Sequence, residues 1–295
     1  NDPQMVRSRD AHGMGFDAQW IDDFHHALHA YLTGQTEGYF AGFGTLKALA
    51  HTLTEGFYYC GTFCPHRERS HGRSSDGISA HRFIGFLQNH DQVGNRYAGE
   101  RSVHFLSRGQ AKISAAIVLL GPYIPMLFMG EEWGASTPFL YFTDHEDPEL
   151  ARAVSIGRQK DFEKIGWDPD QVPDPQDPQT LEKSKLKWDE IDQEPYREML
   201  DWHRHLIQLR KRFSDLTDGR LDRVEVEYDE AAQWMLITRG EVIIAVNFAK
   251  DQRQLPLQNA SRLTCIAASA NLTEQQENVA AMPPESVAVF GPPNQ

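Results

Sequence analysis

Cysteine is scarce in this chain, basic residues are outnumbered, and long apolar runs are missing. The 295 residues include three cysteines, Cys60, Cys64 and Cys265. An odd count without zinc-ribbon spacing argues against a disulfide framework, so Cys60 and Cys64 read as reduced structural thiols in a cytoplasmic protein. Lys and Arg number 29 against 42 Asp and Glu, a formal net charge of −13. That balance opposes a nucleic-acid partner, which needs basic patches, and suits an enzyme of neutral substrates. The best apolar stretch, Ile113 to Met129, is broken by Gly121, Pro122 and Pro125, and no membrane span is expected. The chain opens on Asn1-Asp2-Pro3 without an initiator Met, a basic n-region or an apolar h-region. It reads as a piece of a longer polypeptide.

Material for a core is ample: 40% of residues are hydrophobic, with 16 Phe, 9 Tyr and 6 Trp. The length suits one large domain, or a large one and a small one. Asp17 to Trp20 reads as a brief strand, followed by a helix through His29 and Leu32. Leu46, Leu49, Ala50 and Leu53 share one helical face. Residues 60–80, rich in Arg, His, Ser and Gly, read as a long loop, the kind that is usually functional or mobile. Phe83 to Asn89 reads as a buried strand, Gln110 to Leu120 as an apolar helix, and Ile124 to Gly130 as another buried strand. Asp168 to Gln179, with its four prolines, reads as a surface excursion, and Tyr196 to Phe213 as an amphipathic helix. Strands alternating with helices, each strand ending in polar residues or glycine, are the mark of a parallel sheet. After Asp218 come five short strand-like runs without helices between them: 224–228, 234–238, 242–248, 263–267 and 286–290. These predict a small antiparallel domain, with a boundary near residue 218.

The most informative stretch is Phe86-Leu87-Gln88-Asn89-His90-Asp91-Gln92-Val93-Gly94-Asn95-Arg96. A buried strand that delivers Asn-His-Asp at its carboxyl end places a charged cluster where barrel enzymes build active sites. An Asx-rich turn holding a structural His–Asp pair is the plainer alternative.

Four stretches carry a family resemblance: Asp17 to His29, Phe86 to Arg96, Pro125 to Gly134 and Phe139 to His145. Together they resemble the carboxyl-terminal portion of the maltooligosyltrehalose trehalohydrolase subgroup of glycoside hydrolase family 13. The Asn-His-Asp element alone is shared across the wider α-amylase superfamily. Asp22-Asp23-Phe24-His25-His26 together with Phe86-Leu87-Gln88-Asn89-His90-Asp91-Gln92 is narrower. The resemblance implies an α/β fold: the C-terminal part of a (β/α)8 TIM barrel over residues 1–217, then a β-sandwich-like domain over 218–295. It further implies a nucleophilic Asp, a general-acid Glu and a transition-state-stabilising Asp at strand ends, of which Asp91 matches the third. Hydrogen bonds to sugar hydroxyls that strengthen in an oxocarbenium-like state lower the barrier, which suits Asp91 with His90 beside it as a donor.

In relatives a Leu-Asn-Asp-Pro-like sequence lies just after the general acid, and this chain begins at Asn1-Asp2-Pro3. The nucleophile and acid are therefore expected upstream of residue 1, and the chain alone is expected neither to close a barrel nor to hydrolyse glycans. The implied reaction is release of trehalose from maltooligosyltrehalose by retaining hydrolysis of the α-1,4 bond next to the trehalose end. A branching enzyme or α-amylase of the same fold, or a non-catalytic carbohydrate-binding fragment, is the alternative. The implied partner is an α-glucan oligosaccharide; no cofactor or catalytic metal is implied.

Substrate contacts are expected from Asn89, His90 and Gln92, and from Gln19, Trp20, Asp22, Asp23, His25 and His26. For Trp20 a core role, and for Asp22 a helix cap, stay open. Tyr39, Arg67 and Arg158 fall where the family places cleft contacts, with surface packing or a helix ion pair as the alternative. His25 and His29, spaced i, i+4, could face one metal, but no His-Glu-x-x-His motif or third ligand accompanies them. Glu131 and Glu132 follow the last barrel strand, and there the resemblance implies a structural or cleft-edge role.

Overall fold

A computed structural model describes residues 1–163, 168–257, 263–272, 274–276 and 278–293. Its helices are α1 (Asp22–Thr33), α2 (Leu46–Glu55), α3 (His90–Gly94), α4 (Arg108–Leu120), α5 (Pro148–Glu163), α6 (Pro178–Ser184) and α7 (Tyr196–Arg212). The strands are β1 (Gln19–Trp20), β2 (Thr62–Cys64), β3 (Arg69–His71), β4 (Phe83–Gly85), β5 (Ile124–Pro125), β6 (Val224–Asp229) and β7 (Trp234–Arg239). They continue with β8 (Val242–Asn247), β9 (Arg253–Pro256), β10 (Thr264–Ala268), β11 (Glu274–Gln276), β12 (Val279–Met282) and β13 (Ser286–Gly291). Two compact units divide the chain: Asn1–Leu87 with Leu106–Met126 and Asp201–Gln295, and Gln88–Phe105 with Leu127–Leu200.

In the first unit β1, β4 and β5 form a parallel sheet in that order, with Gln19 opposite Phe83 and Ile84 opposite Ile124. Parallel neighbours need crossovers; α1 and α2 supply the first and α4 the second. Asp22 and Asp23 in the first turn of α1 favour its positive N-terminal end, and Gly34 ends it at φ +73°. Thr45 caps α2, its hydroxyl accepting the Ala48 N–H at 3.1 Å. The Glu230 carboxylate takes the next orphan donors, Leu46 N–H at 3.0 Å and Lys47 N–H at 3.3 Å. Helix α4 starts from a Ser107–Gln110 capping box, and nine of its residues are buried, which marks it as a core helix rather than a surface one.

The same unit holds the antiparallel part. A five-stranded sheet, β10-β13-β8-β7-β6, faces a three-stranded one, β11-β12-β9, around a core of Leu236, Ala245, Leu255, Leu257, Ala280, Met282, Ala288 and Phe290. All five expected strand runs are present. Strands β9, β11 and β12, three or four residues each, lie outside those runs.

Two expectations for the barrel strands need correction. Pairing in the first stops at Gly85, and Phe86 to Asn89 continue as buried, unpaired chain. The second is two residues long, with Ile124 and Met129 each over two-fifths exposed. Met126 N–H still reaches Gly85 O at 2.9 Å, but Gly130 at φ +83° then turns the chain away. An apolar run marks burial, not ladder bonds, so its length overstated both strands. The loop of residues 60–80 also contains order: β2 and β3 pair as a hairpin.

The second unit carries α3, α5 and α6 and packs around aromatic pairs. Phe128 and Phe139 rings lie 5.0 Å apart, and Trp133 and Trp188 rings 5.2 Å. Arg101, 0% exposed, donates from Nε to Thr137 O and from Nη1 to Met129 O, both at 2.6 Å.

Candidate active site

In the second unit Gln88 and Asn89 lie inside, 1% and 2% exposed. His90 and Asp91 then emerge, their side chains 59% and 62% accessible. The switch is made by a helix start. Asn89 is extended and acts as N-cap; its Oδ1 accepts the Asp91 N–H at 2.8 Å, while Gln92 Oε1 accepts the Asn89 N–H at 2.7 Å. This reciprocal capping box brings Asn89, His90, Asp91 and Gln92 into one turn. His90 Nε2 stands 3.4 Å from Asp91 Oδ1. A pair this exposed adds little to stability. Arg158 joins them from α5, with Nη1 donating to Asn95 Oδ1 at 2.8 Å and Nη2 to the Gly94 carbonyl. Its guanidinium lies 4.8 Å from the Tyr141 ring centre and 4.7 Å from that of Phe162. It fastens the carboxyl end of α3, where a cation is favoured.

In the first unit, Trp20 is 41% exposed and meets Phe86 edge-to-face, with ring centres 5.8 Å apart. The Gln19 Oε1 is enclosed with no protein donor. Asp22 is exposed at the start of α1. Asp23 and His25, expected on the sugar cleft, are instead buried, at 5% and 1% exposure. The Asp23 carboxylate accepts from Asn1 Nδ2 at 2.6 Å, Tyr58 N at 2.9 Å and Tyr59 N at 3.0 Å. Burial raises its pKa, and these donors oppose the rise. His25 uses Nδ1 on the Leu87 carbonyl and stacks on Phe86 at 5.9 Å. Both face inward because they follow Asp22 around α1 onto its packed side.

His26 is half-buried against Phe40 and Phe43, at ring distances of 5.3 and 5.2 Å. Burial pushes its pKa down to about 4, and His29, His66 and Arg67 press the same way. Tyr39, 69% exposed, lies 4.6 Å from the His66 ring, and Arg67 is exposed at the adjoining turn. Tyr39, Arg67 and His26 are thus assembled together with His66 and Phe40, two residues the sequence reading missed. Pro65-His66-Arg67 beside an aromatic Gly-Tyr-Phe carried a faint signal for them. Gln88 lay within the Phe86–Arg96 stretch without being singled out, and Arg101 carried no signal, being a lone polar residue without local pattern. Among the described residues no group of three or more His, Cys, Asp or Glu is placed to hold a metal, and the cysteines are free thiols.

A parallel sheet with helical crossovers, an antiparallel β domain and an exposed His–Asp turn after a central strand define a class. This is part of a (β/α)8 barrel of the α-amylase type followed by its β domain. A crystal structure of a Salmonella typhimurium protein described as a candidate alpha amylase superimposes with a TM-score of 0.80 at 35% identity, covering 94% of this chain and 47% of that one. By sequence the chain is similar to malto-oligosyltrehalose trehalohydrolases. It is 48% identical to that of Arthrobacter ramosus over 247 residues, 83% of this chain and 42% of the relative. Against that of Mycobacterium tuberculosis it is 44% identical over 259 residues, 87% of this chain and 45% of the relative. It therefore spans less than half the length of the curated relatives it matches. Residues 219–289 match a domain of unknown function, DUF3459.

Proposed function

We propose that this chain is part of a glycoside hydrolase that releases trehalose from maltooligosyltrehalose, cutting the α-1,4 bond beside the trehalose end with retention. The observation that carries the proposal is the capped turn that holds Asn89 inside and presents His90 and Asp91 to solvent. Asp91 grips sugar hydroxyls as positive charge builds at the anomeric carbon, and His90 donates beside it. Asn89 and Gln92 hold the turn, and Arg158 fixes its far end. Gln19, Trp20, Asp22, His26, Tyr39 and Arg67 offer the polar and aromatic faces a neutral sugar needs, while Asp23 and His25 support them from behind. The nucleophile and general acid come from outside residues 1–295, so this chain alone releases no trehalose. The boundary between barrel part and β domain lies near residue 218, a placement supported by the domain match that begins at residue 219. The setting is cytoplasmic trehalose biosynthesis, with an α-glucan oligosaccharide as partner; among the described residues no helix is long and apolar enough to cross a membrane.

The test is Asp91→Asn in a polypeptide of the relatives' length that carries this chain. Trehalose release from maltooligosyltrehalose should fall about a thousandfold with the fold intact. Rates within a few-fold of the parent sink the proposal. A parent that yields branched glucan or glucose instead places the chain with the branching enzymes or amylases, and binding without turnover makes it a carbohydrate-binding fragment.

A further inference from the structure

Where α1 ends, the first unit holds a cleft of about 490 Å³ that the chemistry proposed above does not use. Tyr31 of α1 and Gln110 of α4 form one side, and Glu230, Lys250, Asp251 and Glu285 of the β domain the other. Its size is that of a small-molecule site. The twelve residues of α1, about 18 Å of helix, run between Asp22 at one end and Gly34 on the cleft's rim. The cleft is therefore separate from the surface that carries Trp20 and Asp22.

Its walls are held by the protein's own contacts. The Glu230 carboxylate is tied to the first turn of α2. Glu285 Oε2 accepts the Ser107 hydroxyl at 2.7 Å, and the Glu285 N–H donates to Ala249 O at 2.9 Å. Gln110 Nε2 donates to Leu32 O at 3.0 Å, while its Oε1 accepts the Ser107 N–H at 2.9 Å. Tyr31 meets Phe248 edge-to-face, with ring centres 4.9 Å apart. A Cβ on Gly109 would meet Glu285 O at 2.2 Å, so glycine there lets the β domain close on α4. Two lining residues, Gln233 and Glu285, hold left-handed backbone at φ +58° and +42°. Such conformations cost roughly 1–3 kcal/mol and gather at ligand clamps and active sites.

The lining disfavours ions. Three carboxylates against one ammonium repel an anion, and among the described residues no three His, Cys, Asp or Glu are placed to hold a metal. A neutral ligand rich in hydroxyls suits it. Carboxylates accept strongly from O–H groups, carboxamides both donate and accept, and Ala30, Tyr31, Leu32 and Phe248 offer apolar surface to C–H faces. We propose that this cleft is a second carbohydrate site, which binds glucosyl units of an α-1,4-glucan away from the bond that is cut. The choice of an α-glucan rests on the functional reading above; the cleft itself is tested by binding alone.

The test is titration of this chain with maltopentaose, following the backbone amide resonances of Gly34, Gly44, Gln233 and Lys250. They should shift saturably, with a Kd of about 1 mM. Lys250→Ala and Asp251→Ala, both at exposed positions, should each weaken binding about tenfold, the loss of one charge-assisted hydrogen bond. D91N should titrate like the parent. No saturable shift up to about 50 mM sugar, or equal titrations for parent, K250A and D251A, overturns the proposal. Calcium chloride or sodium phosphate moving these amides where maltopentaose does not would make the cleft an ion site and overturn it too. Saturation by cellopentaose alone overturns the α-glucan ligand. Trehalose release by the longer polypeptide would then show that the functional reading survives that failure.

Discussion

Gln92 closes the turn on Asn89: its Oε1 accepts the Asn89 backbone N–H at 2.7 Å, while Asn89 Oδ1 takes the Asp91 N–H. The N-cap and one residue of a five-residue helix thereby satisfy first donors and turn the chain from interior to solvent in one step. Gln92→Ala removes half of this box and should cost about 1 kcal/mol. Urea unfolding reads the loss, and amide exchange should place it within Asn89 to Asn95. Unchanged exchange there would show that the turn is held by other contacts.

His26 should make the chain labile to acid. Its pKa falls from an ordinary 6.5 to about 4 in the folded state, so the unfolded chain binds the proton more readily. The neutral ring's contribution is complete above pH 6.5 and is lost as the pH falls through that range toward 4, by at most about 3 kcal/mol. His26→Phe should flatten this part of the stability profile, measured as urea midpoints between pH 7 and about pH 4. Parallel profiles for parent and variant would contradict the assignment.

Arg210 ties α7 to the end of the core helix. Its Nη1 donates to Leu119 O at 2.8 Å and Gly121 O at 2.9 Å, and Nη2 donates to Tyr123 O at 2.8 Å. Arg210→Ala leaves three carbonyls short of a donor and should destabilise by about 3 kcal/mol. Arg210→Lys should recover only part, since an ammonium cannot span three acceptors as the planar fork does. Thermal unfolding of parent and variants separates these outcomes; an Arg210→Lys melting temperature equal to the parent's would show that charge alone suffices.

Much of this architecture was legible in residue order. Helices α1, α2, α4 and α7 follow from apolar residues recurring at helical spacing, a local signal that survives packing. The antiparallel strands β6, β7 and β8 follow from short apolar runs between turn residues. Strands β4 and β5 were overstated because burial and pairing leave the same mark on a sequence. The short hairpin β2–β3 was hidden in polar chain, since its pairing depends on partners rather than on hydrophobic pattern.

The site divides in the same way. The run from Asn89 to Gln92 carries its own cap chemistry, so the turn and the residues it presents were determined locally. That Asp23 and His25 face inward while Asp22 stays outside depends on what packs against α1, and only the folded chain decides it. Gln88 accepts from the Ser102 N–H, and Arg101 donates to the Thr137 and Met129 carbonyls, partners distant along the chain. No periodicity links such residues: a buried polar group is satisfied by whichever partner the tertiary structure brings within reach, and that choice is made in space rather than along the chain.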